Sequence, residues 1–453
     1  MNLPNYFIAD LPPEASVTPG MIHEACQTLK RNRELYLAQR STRSLIHVLS
    51  HLAKEWLNPE FLFRKLALAD GPRATGFSRA TLETGLDGFF KALTIEALEA
   101  LLEQDLGHSD RLDQIVVSGP EQKLNRGSIV IAPELIVHFA AGNLPNPTLM
   151  SMLLGLLTRS AQFIKCASNA SFLPRLFAHS LYDAEPKLGA CLELAEWKGG
   201  HEALEQALFE EANCVTATGT DENLAQIRRR LPLSVRFVSY GSRLSFAYVA
   251  HEVLSGLHAR KIVERAARDI VAWNQLGCLS PHVIYVQSGG ALAPDKFAEM
   301  LAEVLAEREL TEPRGELPVE TAAVIASRRA IYDLRAAHSP DTRHWCSHGS
   351  TAWTVVYEAD PRFQISCLNR FIYIKEVRDL TEALQSADSV RGQVSTVGLA
   401  VPEHKAQELA TELARWGATR VCPLGQMQNP PLAWRHDGRP ALSDLVTWTD
   451  WEQ

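Results

Sequence analysis

The sequence lacks the short signatures of several large enzyme classes. It contains no G-x-G-x-x-G, no G-x-x-x-x-G-K-[ST], no H-E-x-x-H and no G-x-S-x-G. These absences argue against a simple dinucleotide-binding dehydrogenase, a P-loop enzyme, a zincin and a serine hydrolase. Its 8 cysteines include no C-x-x-C pair, and its 15 histidines form no cluster at zinc spacing. The sequence therefore predicts no metal site.

Long apolar runs and an excess of positive charge are missing as well. The longest apolar stretch, 149–157, is about half of the roughly 20 residues that a membrane-spanning helix needs. The first residues show no basic region followed by an apolar one, so no signal peptide is predicted. We therefore expect a cytoplasmic protein without a membrane span. The net charge of −8 argues against a nucleic-acid partner.

The composition is that of an ordinary globular protein. The chain has 453 residues, of which 46% are hydrophobic and 22% are charged, enough for two or three domains. Residues 1–110 show apolar residues at three- and four-residue steps over 19–38, 43–56 and 93–106. This periodicity predicts an N-terminal helical region that covers a later part of the chain.

Strand and helix patterns alternate after this helical region. Strands are predicted at 161–166 and 214–218, and helices at 173–180 and 221–231, which favours a doubly wound parallel sheet over 111–245. A second α/β section over 246–410 carries strand patterns at 282–286, 351–358, 371–377 and 394–400. Helices are expected at 261–273, 294–307 and 380–387. The turn-rich segment 411–453 is predicted to wrap over another element.

The first candidate for chemistry is Asn143, in the sequence HFAAGNLPNPT. Asn146 as N-cap and Pro147 at the first helical position predict a helix start. Asn143 then lies in a tight loop at the carboxyl edge of a parallel sheet, where α/β proteins bind ligands. Its amide could donate to a developing oxyanion. The alternative is a turn asparagine that hydrogen-bonds its own backbone.

Two further segments suggest a nucleotide. Lys165 ends a predicted strand and would place a cation at the sheet edge, although a surface lysine is an equal alternative. Gly219 and Thr220 lie in VTATGTDEN, a strand, a turn and a helix N-terminus suited to a pyrophosphate. One glycine is a weak signal, and the acidic residues that follow compete for the positive helix end. The basic run 228–230 is interpreted as a solvated helix end, with phosphate contact as the alternative.

The segment WNQLGCLSP contains the strongest candidate nucleophile, Cys278. Gly277 is predicted as the residue at which the preceding helix ends, and Pro281 prevents its resumption. Cys278 then lies on a polar loop, which suits a reactive thiol better than the surroundings of the other cysteines. The alternatives are an inert buried cysteine and a Cys–His pair formed by Cys346 and His348.

Taken together and in order, these segments resemble the aldehyde dehydrogenase superfamily, and more closely its acyl-CoA reductase branch, the fatty-acid reductases of LuxC type. The resemblance extends from about residue 140 to the C-terminus. The segments that carry it are AGNLPNP (141–147), FIK (163–165), ATGTDENL (217–224), RFVSYGSRLSFAYV (236–249), WNQLGCLSP (273–281), VSTVGLA (394–400), PLGQM and WRHDG.

The resemblance implies an aldehyde dehydrogenase-like fold with an NADP-binding domain at 111–245, an oligomerisation arm near 114–138, and a catalytic domain at 246–410. It implies Cys278 as nucleophile and Asn143 as oxyanion donor. The residues that it places on the cofactor are Lys165, Gly219, Thr220, Ser239, Tyr240 and Gly241.

The sequence departs from the superfamily at two glutamates. Ser239 and Tyr240 stand where ordinary aldehyde dehydrogenases have the base that hydrolyses the acyl-enzyme. The second, a ribose-binding glutamate expected near 366–369, is absent too. A general base contributes on the order of 10² to 10⁴ in rate, so its loss favours reduction of the acyl-enzyme over hydrolysis.

The resemblance therefore implies reduction of a fatty acyl thioester, acyl-CoA or acyl-protein, to the aldehyde with NADPH through an acyl-cysteine. It also implies a homo-oligomer, and an acyl-transferring synthetase as a partner. Two alternatives stay open from the sequence. One is an NAD(P)-dependent aldehyde dehydrogenase that works in the oxidising direction. The other is an acyl-relay subunit that binds no dinucleotide.

Overall fold

The computed structural model describes residues 3–12 and 14–452. The chain begins with helices, and four of the first five start at a serine or threonine N-cap whose hydroxyl accepts a backbone N–H: Thr18, Ser41, Ser78 and Thr94. The helices of this region are α1 (Pro19–Tyr36), α2 (Thr42–Leu57), α3 (Leu62–Thr75), α4 (Arg79–Lys91), α5 (Ile95–Leu106) and α6 (Gly119–Gln122).

A parallel five-stranded sheet follows, in the order β4-β3-β2-β5-β6. Its strands are β2 (Leu135–Phe139), β3 (Ala161–Cys166), β4 (Leu192–Glu196), β5 (Cys214–Thr218) and β6 (Arg236–Tyr240). The helices between them are α7 (Asn146–Leu157), α8 (Phe172–Ala184), α9 (Pro186–Gly189), α10 (Glu202–Glu211) and α11 (Asp221–Arg230). The chain order reverses between β2 and β5, so a ligand crevice is expected at their carboxyl ends.

A second sheet has seven strands in the order β13-β12-β7-β8-β11-β10-β9, with only β9 antiparallel to its neighbour. The strands are β7 (Leu244–Val249), β8 (Pro281–Gln287), β9 (Thr342–Cys346), β10 (Thr354–Glu358), β11 (Phe371–Val377), β12 (Val394–Ala400) and β13 (Arg420–Pro423). Its helices are α12 (Gly256–Val271), α13 (Pro294–Thr311), α14 (Val319–His338), α15 (Leu380–Ser386) and α16 (Glu403–Trp416). The two parallel sheets confirm the α/β architecture predicted from the alternating pattern.

The segment expected to form an arm divides between two sheets. β1 (Arg126–Ile131) pairs antiparallel with the C-terminal strand β14 (Thr447–Glu452), with Arg126 opposite Glu452. The strand that follows, β2, lies at the centre of the five-stranded sheet. Within the described residues, no helix is long and apolar enough to cross a membrane.

Candidate active site

A cavity of about 1970 Å³ lies at the carboxyl ends of the first sheet's strands and reaches the loop before β8. We call the turns after β2, β3, β5 and β6 the first-sheet edge, and residues 272–280 the cysteine loop. Together they bring seven predicted site residues to one cavity, namely Asn143, Lys165, Gly219, Thr220, Tyr240, Gly241 and Cys278. Ser239 does not line it. Its backbone carbonyl accepts a hydrogen bond from Arg439 Nη1 at 3.1 Å.

The cysteine loop begins with an unusual backbone. Helix α12 ends at Val271, and Trp273, Asn274 and Gln275 then have φ angles of 49°, 52° and 64°. The prediction that the helix ends through Gly277 is wrong, because the left-handed turn comes earlier and uses three residues with side chains. Such conformations cost about 1–3 kcal/mol each and persist only where the surroundings enforce them.

Side-chain contacts supply that enforcement. A Cβ on Gly85 of α4 would overlap the Trp273 indole, so the glycine gives the ring its place. Asn274 Nδ2 donates to the Arg314 carbonyl at 2.7 Å, and Gln275 Nε2 donates to the Phe371 carbonyl at 2.9 Å. The loop is therefore fixed to the N-terminal helices and to the second sheet at once.

A second left-handed run braces the first. Leu368, Asn369 and Arg370 have φ angles of 59°, 56° and 65°. The buried Arg370 guanidinium donates to Asn274 Oδ1 at 3.1 Å and to Glu309 Oε2 at 2.9 Å. Arg370, directly after the segment 366–369, thus supports the cysteine loop.

Cys278 is half-buried at the wall of the cavity, between α12 and β8. Its carbonyl accepts from Ser245 Oγ at 2.7 Å, and Ser280 N donates to the Gly277 carbonyl at 2.9 Å. Burial raises the pKa of the Cys278 thiol to about 12. The charge of Asp437 adds to this rise, whereas Arg243 and the backbone N–H groups of Cys278 and Leu279 oppose it. In this state the sulfur carries its proton near neutral pH.

Asn143 lies against the cysteine loop. Its Nδ2 donates to the Leu276 carbonyl at 2.9 Å, so the alternative of an asparagine bonded only to its own turn is wrong. The contact holds the amide against the cysteine loop two residues before Cys278, and it uses one of the two N–H bonds of the amide. The helix start shifts by one residue from the prediction. Asn146 is the first residue of α7 rather than its cap, and Pro145 precedes it.

The turn after β5 lines the cavity with Gly219 and Thr220, and Gly219 N donates to the Tyr240 carbonyl at 3.2 Å. Thr220 caps α11, its Oγ1 accepting from Asn223 N at 3.4 Å. The Asp221 carboxylate is directed away from the helix end, because Oδ1 accepts from Ser242 N at 3.0 Å. A Cβ on Gly241 would overlap that oxygen. The N-terminus of this helix borders the cavity through Thr220 and Asn223, and helix N-termini favour anions.

Lys165 is 6% exposed, so the alternative of a surface lysine is wrong. Its Nζ lies 5.9 Å from the centre of the Trp197 ring. Desolvation lowers the pKa of this ammonium, and the nearby Glu205 opposes the change. Lys198, Arg229 and Arg230 also line this end of the cavity, and Arg230 pairs with Glu205 at 2.6 Å. Four basic side chains thus line the cavity together with Glu202 and Glu205, and this excess of positive charge, the helix N-terminus and the cavity volume fit a phosphorylated dinucleotide.

The C-terminal segment covers Tyr240. The ring of His436 stacks on the ring of Tyr240 with centres 4.5 Å apart, and the Arg439 guanidinium lies 5.2 Å from the same ring. Asp437 pairs with Arg243 at 3.2 Å. Tyr240, one of the two residues expected where the resemblance implies a missing hydrolytic base, is therefore covered on its ring by the C-terminal segment. Burial raises the pKa of Tyr240 to about 12.

Sequence reasoning missed two parts of the site. The first is helix α4, which lines the cavity with Thr84, Gly85, Gly88 and Phe89, although residues 1–110 were expected only to cover a later part of the chain.

The second is His138, which also lines the cavity. His138 Nδ1 lies 2.6 Å from Thr216 Oγ1, and Nε2 lies 2.9 Å from Gln162 Oε1. Burial lowers the pKa of His138 to about 4, so the ring is neutral. A polar strand residue at the sheet centre was the available signal.

The alternative Cys–His pair receives no support from the geometry. Neither Cys346 nor His348 lines the cavity, and His348 is exposed. Across the part of the chain that the structure describes, no group of three or more metal-ligating side chains is found.

The chain is similar to known proteins over most of its length. A family model described as acyl-CoA reductase (LuxC) matches residues 37–448. "Long-chain acyl-protein thioester reductase 2" of Photobacterium leiognathi is 23% identical over 438 residues, covering 95% of this chain and 85% of the relative.

Solved structures share its fold. An NADP-dependent glyceraldehyde-3-phosphate dehydrogenase of Bacillus halodurans C-125, complexed with NADP, has a TM-score of 0.71 and 12% identity, covering 96% of this chain and 92% of the other. A bifunctional proline utilization A protein has a TM-score of 0.73 and 15% identity, and this chain spans 45% of that longer protein. These neighbours confirm the aldehyde dehydrogenase-like fold. With the family match over most of its length, the chain belongs to the acyl-CoA reductase (LuxC) family.

Proposed function

We propose that this protein reduces a fatty acyl thioester to the aldehyde with NADPH, through an acyl group held on Cys278. The observation that carries the proposal is the bond between Asn143 Nδ2 and the Leu276 carbonyl. It supports the proposal because it ties an amide donor to the loop that carries Cys278, and no other cysteine of the described residues lines the cavity. A thiol nucleophile, an oxyanion donor and a dinucleotide-sized space are the parts that this reaction needs.

The first half of the reaction uses the cysteine loop. Cys278 sulfur attacks the thioester carbon and loses its proton, the bond between that carbon and the sulfur of CoA or the carrier breaks, and the leaving thiolate takes up a proton. The developing oxyanion is held by the second N–H of Asn143 and by the backbone N–H of Cys278. A donor of this kind contributes about 3–4 kcal/mol. Because one thioester replaces another, the transfer needs no ATP.

The second half needs a reductant. NADPH, when bound, supplies the hydride that reduces the Cys278 thioester carbon. Lys165 and the N-terminus of α11 would hold its phosphates, and Tyr240 and Gly241 would border its other end. Collapse of the resulting thiohemiacetal breaks the bond between carbon and Cys278 sulfur and releases aldehyde. Overall, one thioester, one NADPH and one proton give one aldehyde, one thiol and one NADP⁺.

The surroundings of Tyr240 favour reduction over hydrolysis. A phenol with a raised pKa, covered by His436, is a poor base for activating water. The apolar wall contributed by Phe89, Met150 and Leu154 suits an alkyl chain. The curated relatives are named for long-chain acyl-protein thioesters, which supports a fatty acyl group delivered on CoA or on a protein.

The same proposal covers the assembly of the protein. We infer that it works in the cytoplasm as a homo-oligomer, with the pair β1 and β14 as the arm that contacts a second copy. Trp448, Trp451 and Ile131 are exposed on this pair, which supports the assignment. An acyl-transferring synthetase is the proposed protein partner.

The test is a reduction assay with a matched variant. Acyl-CoA of several chain lengths with NADPH should yield aldehyde, identified by mass spectrometry, and Cys278→Ser should lose at least about 10³-fold in rate. Cys346→Ser, outside the cavity, is the control. Undiminished reduction by Cys278→Ser would exclude the mechanism. Failure of NADPH to bind in a fluorescence titration would favour the acyl-relay alternative.

A second candidate function is aldehyde oxidation. Asp437 favours it, because its charge acts on Cys278 and its Oδ1 is buried without a hydrogen-bond partner within the described residues. A carboxylate in this place could activate water. Oxidation predicts NADH or NADPH formation from aldehyde without added thiol, lost in Asp437→Asn. If Asp437→Asn still reduces acyl-CoA, Asp437 is not needed for that reaction, and its role is the ion pair with Arg243.

A further inference from the structure

The loop after β13 reaches both sides of Cys278. Gln428 Nε2 donates to Ser280 Oγ at 2.6 Å. A Cβ on Gly277 would lie 3.1 Å from Gln428 Oε1, so the amide also lies against that residue. The Gln428 side chain therefore contacts the residues that bracket the Cys278 turn, and it lines the cavity.

A buried carboxylate holds the N–H groups of this loop. Asp269, on α12, is 1% exposed. Its Oδ2 accepts from Gly425 N at 2.5 Å and its Oδ1 accepts from Met427 N at 3.0 Å. Both oxygens are thus committed to the backbone just before Gln428. Hydrogen bonds to an ionised acceptor are the stronger kind.

A cation holds the carbonyl groups of the same loop. Arg420 Nη2 donates to the Gln426 carbonyl at 2.8 Å, and its Nη1 donates to the Met427 carbonyl at 2.7 Å. The guanidinium also lies 5.6 Å from the centre of the Trp434 ring. Residues 425–427 are therefore held by two opposite charges: Asp269 accepts from their N–H groups, and Arg420 donates to their carbonyl groups.

We propose that Gln428 is a positioning residue for Cys278, and that Asp269 and Arg420 hold its loop in the conformation that this requires. The inference rests on the proposed function, since it takes Cys278 as the reacting group. Gln428 acts through Ser280 and Gly277, whose own backbone bond closes the turn around the cysteine.

We call Asp269 and Arg420, with the loop 425–427 that they hold, the clamp. The clamp makes the positioning of Cys278 by Gln428 sensitive to pH. An ionised Asp269 accepts from both N–H groups, whereas protonation places a hydrogen on one oxygen and displaces one of these bonds. Burial raises the pKa of Asp269 to about 7, against the lowering effect of the two N–H groups. The charged and titratable groups that face it are Arg268 on the same helix, and Arg420 and Cys422 on β13. The positioning should weaken as the pH falls through about 7.

The experiment compares two glutamines of one loop. Gln428→Leu removes the amide at nearly constant volume, and Gln426→Leu makes the same change at an exposed side chain outside the cavity. Mass spectrometry under single-turnover conditions measures the rate at which acyl-CoA acylates Cys278. We expect this rate to fall on the order of 10- to 100-fold in Gln428→Leu. The acyl-CoA concentration that gives half of the maximal acylation rate should hardly change. The acylation rate of Gln426→Leu should match that of the wild type. Wild-type acylation by Gln428→Leu would overturn the proposal.

Asp269→Asn supplies a second measurement. The ratio of wild-type to variant acylation rates cancels the ionisation of Cys278 itself, and we expect that ratio to rise with pH through about 7. A ratio independent of pH would contradict the role of the clamp. Thermal unfolding of the variant verifies its folding. Should it not fold, the Gln428→Leu arm decides alone.

Alkylation separates this inference from the proposed function. If wild-type protein forms no acyl adduct at Cys278, the proposed function fails. The positioning of Cys278 is then tested by the rate at which iodoacetamide alkylates it. A changed alkylation rate at Cys278 in Gln428→Leu, with Gln426→Leu unchanged, then supports the inference. Equal rates in all three proteins reject it.

Discussion

The two walls of the cavity are built in different ways. The first-sheet edge borders the cavity with a glycine turn and a capped helix N-terminus, beside a cluster of basic side chains. The cysteine loop is held by polar side chains, its own Gln275 and those of Ser245, Arg370 and Gln428, which bond across to other elements and maintain its left-handed residues. A wall that binds phosphates needs open donors, whereas a wall that performs covalent chemistry needs an atom fixed in place.

The largest effect is expected where the two walls meet. Asn143→Ala removes the amide donor and its bond to Leu276. We expect kcat to fall about 10²- to 10³-fold with little change in KM, because the donor acts on charge that develops in the transition state. Steady-state reduction of acyl-CoA measures this. Asn58→Ala, at the exposed end of α2 outside the cavity, is the control, and a loss confined to KM would contradict the assignment.

A large effect on stability is expected in the brace of the cysteine loop. Arg370→Met leaves the buried Asn274 Oδ1 without its donor and takes a charged donor from Glu309. A stranded buried acceptor costs about 1–3 kcal/mol, so we expect the free energy of unfolding to fall by about 2–4 kcal/mol. Urea denaturation measures the loss. Arg362→Met, which removes an exposed guanidinium, should leave it nearly unchanged, because exposed ion pairs contribute little to stability.

Acid should lower the free energy of unfolding through His138, the buried histidine of the first sheet. His138 has a pKa of about 4 in the folded protein against an ordinary value of 6.5. The unfolded chain therefore takes up the proton first, and stability is lost as the pH falls from about 6.5 towards 4. His138→Gln should flatten the pH dependence of the unfolding free energy in this window. The exposed His348→Gln should leave it unchanged, and an identical slope in His138→Gln would refute the argument.

The smallest effect is expected at the cap of α11. Thr220→Val removes the hydroxyl that accepts from Asn223 N, which costs about 0.5–2 kcal/mol. We expect a modest weakening of NADPH binding in a fluorescence titration and no change in the acylation of Cys278. Equal losses in both measurements would show that the two walls are not independent.

The sequence predicted the elements of the two sheets because strand and helix periodicities are local. Strands at 371–377 and 394–400 have the predicted bounds, and the strand expected at 351–358 begins at Thr354. The site residues were reached through resemblance and loop position. What escaped prediction depends on contacts between distant segments. No local pattern announces three left-handed residues after Val271, because Gly85, Arg314 and Phe371 enforce them.

Trp273 has a practical consequence for the study of this protein. Its indole is 5% exposed, borders the cavity and packs against Phe77 with ring centres 5.2 Å apart. It is therefore a built-in fluorophore whose emission overlaps the absorption of a dihydronicotinamide. Energy transfer from this indole would report occupancy of the site in real time, and Trp273→Phe would identify its share of the signal among the 9 tryptophans.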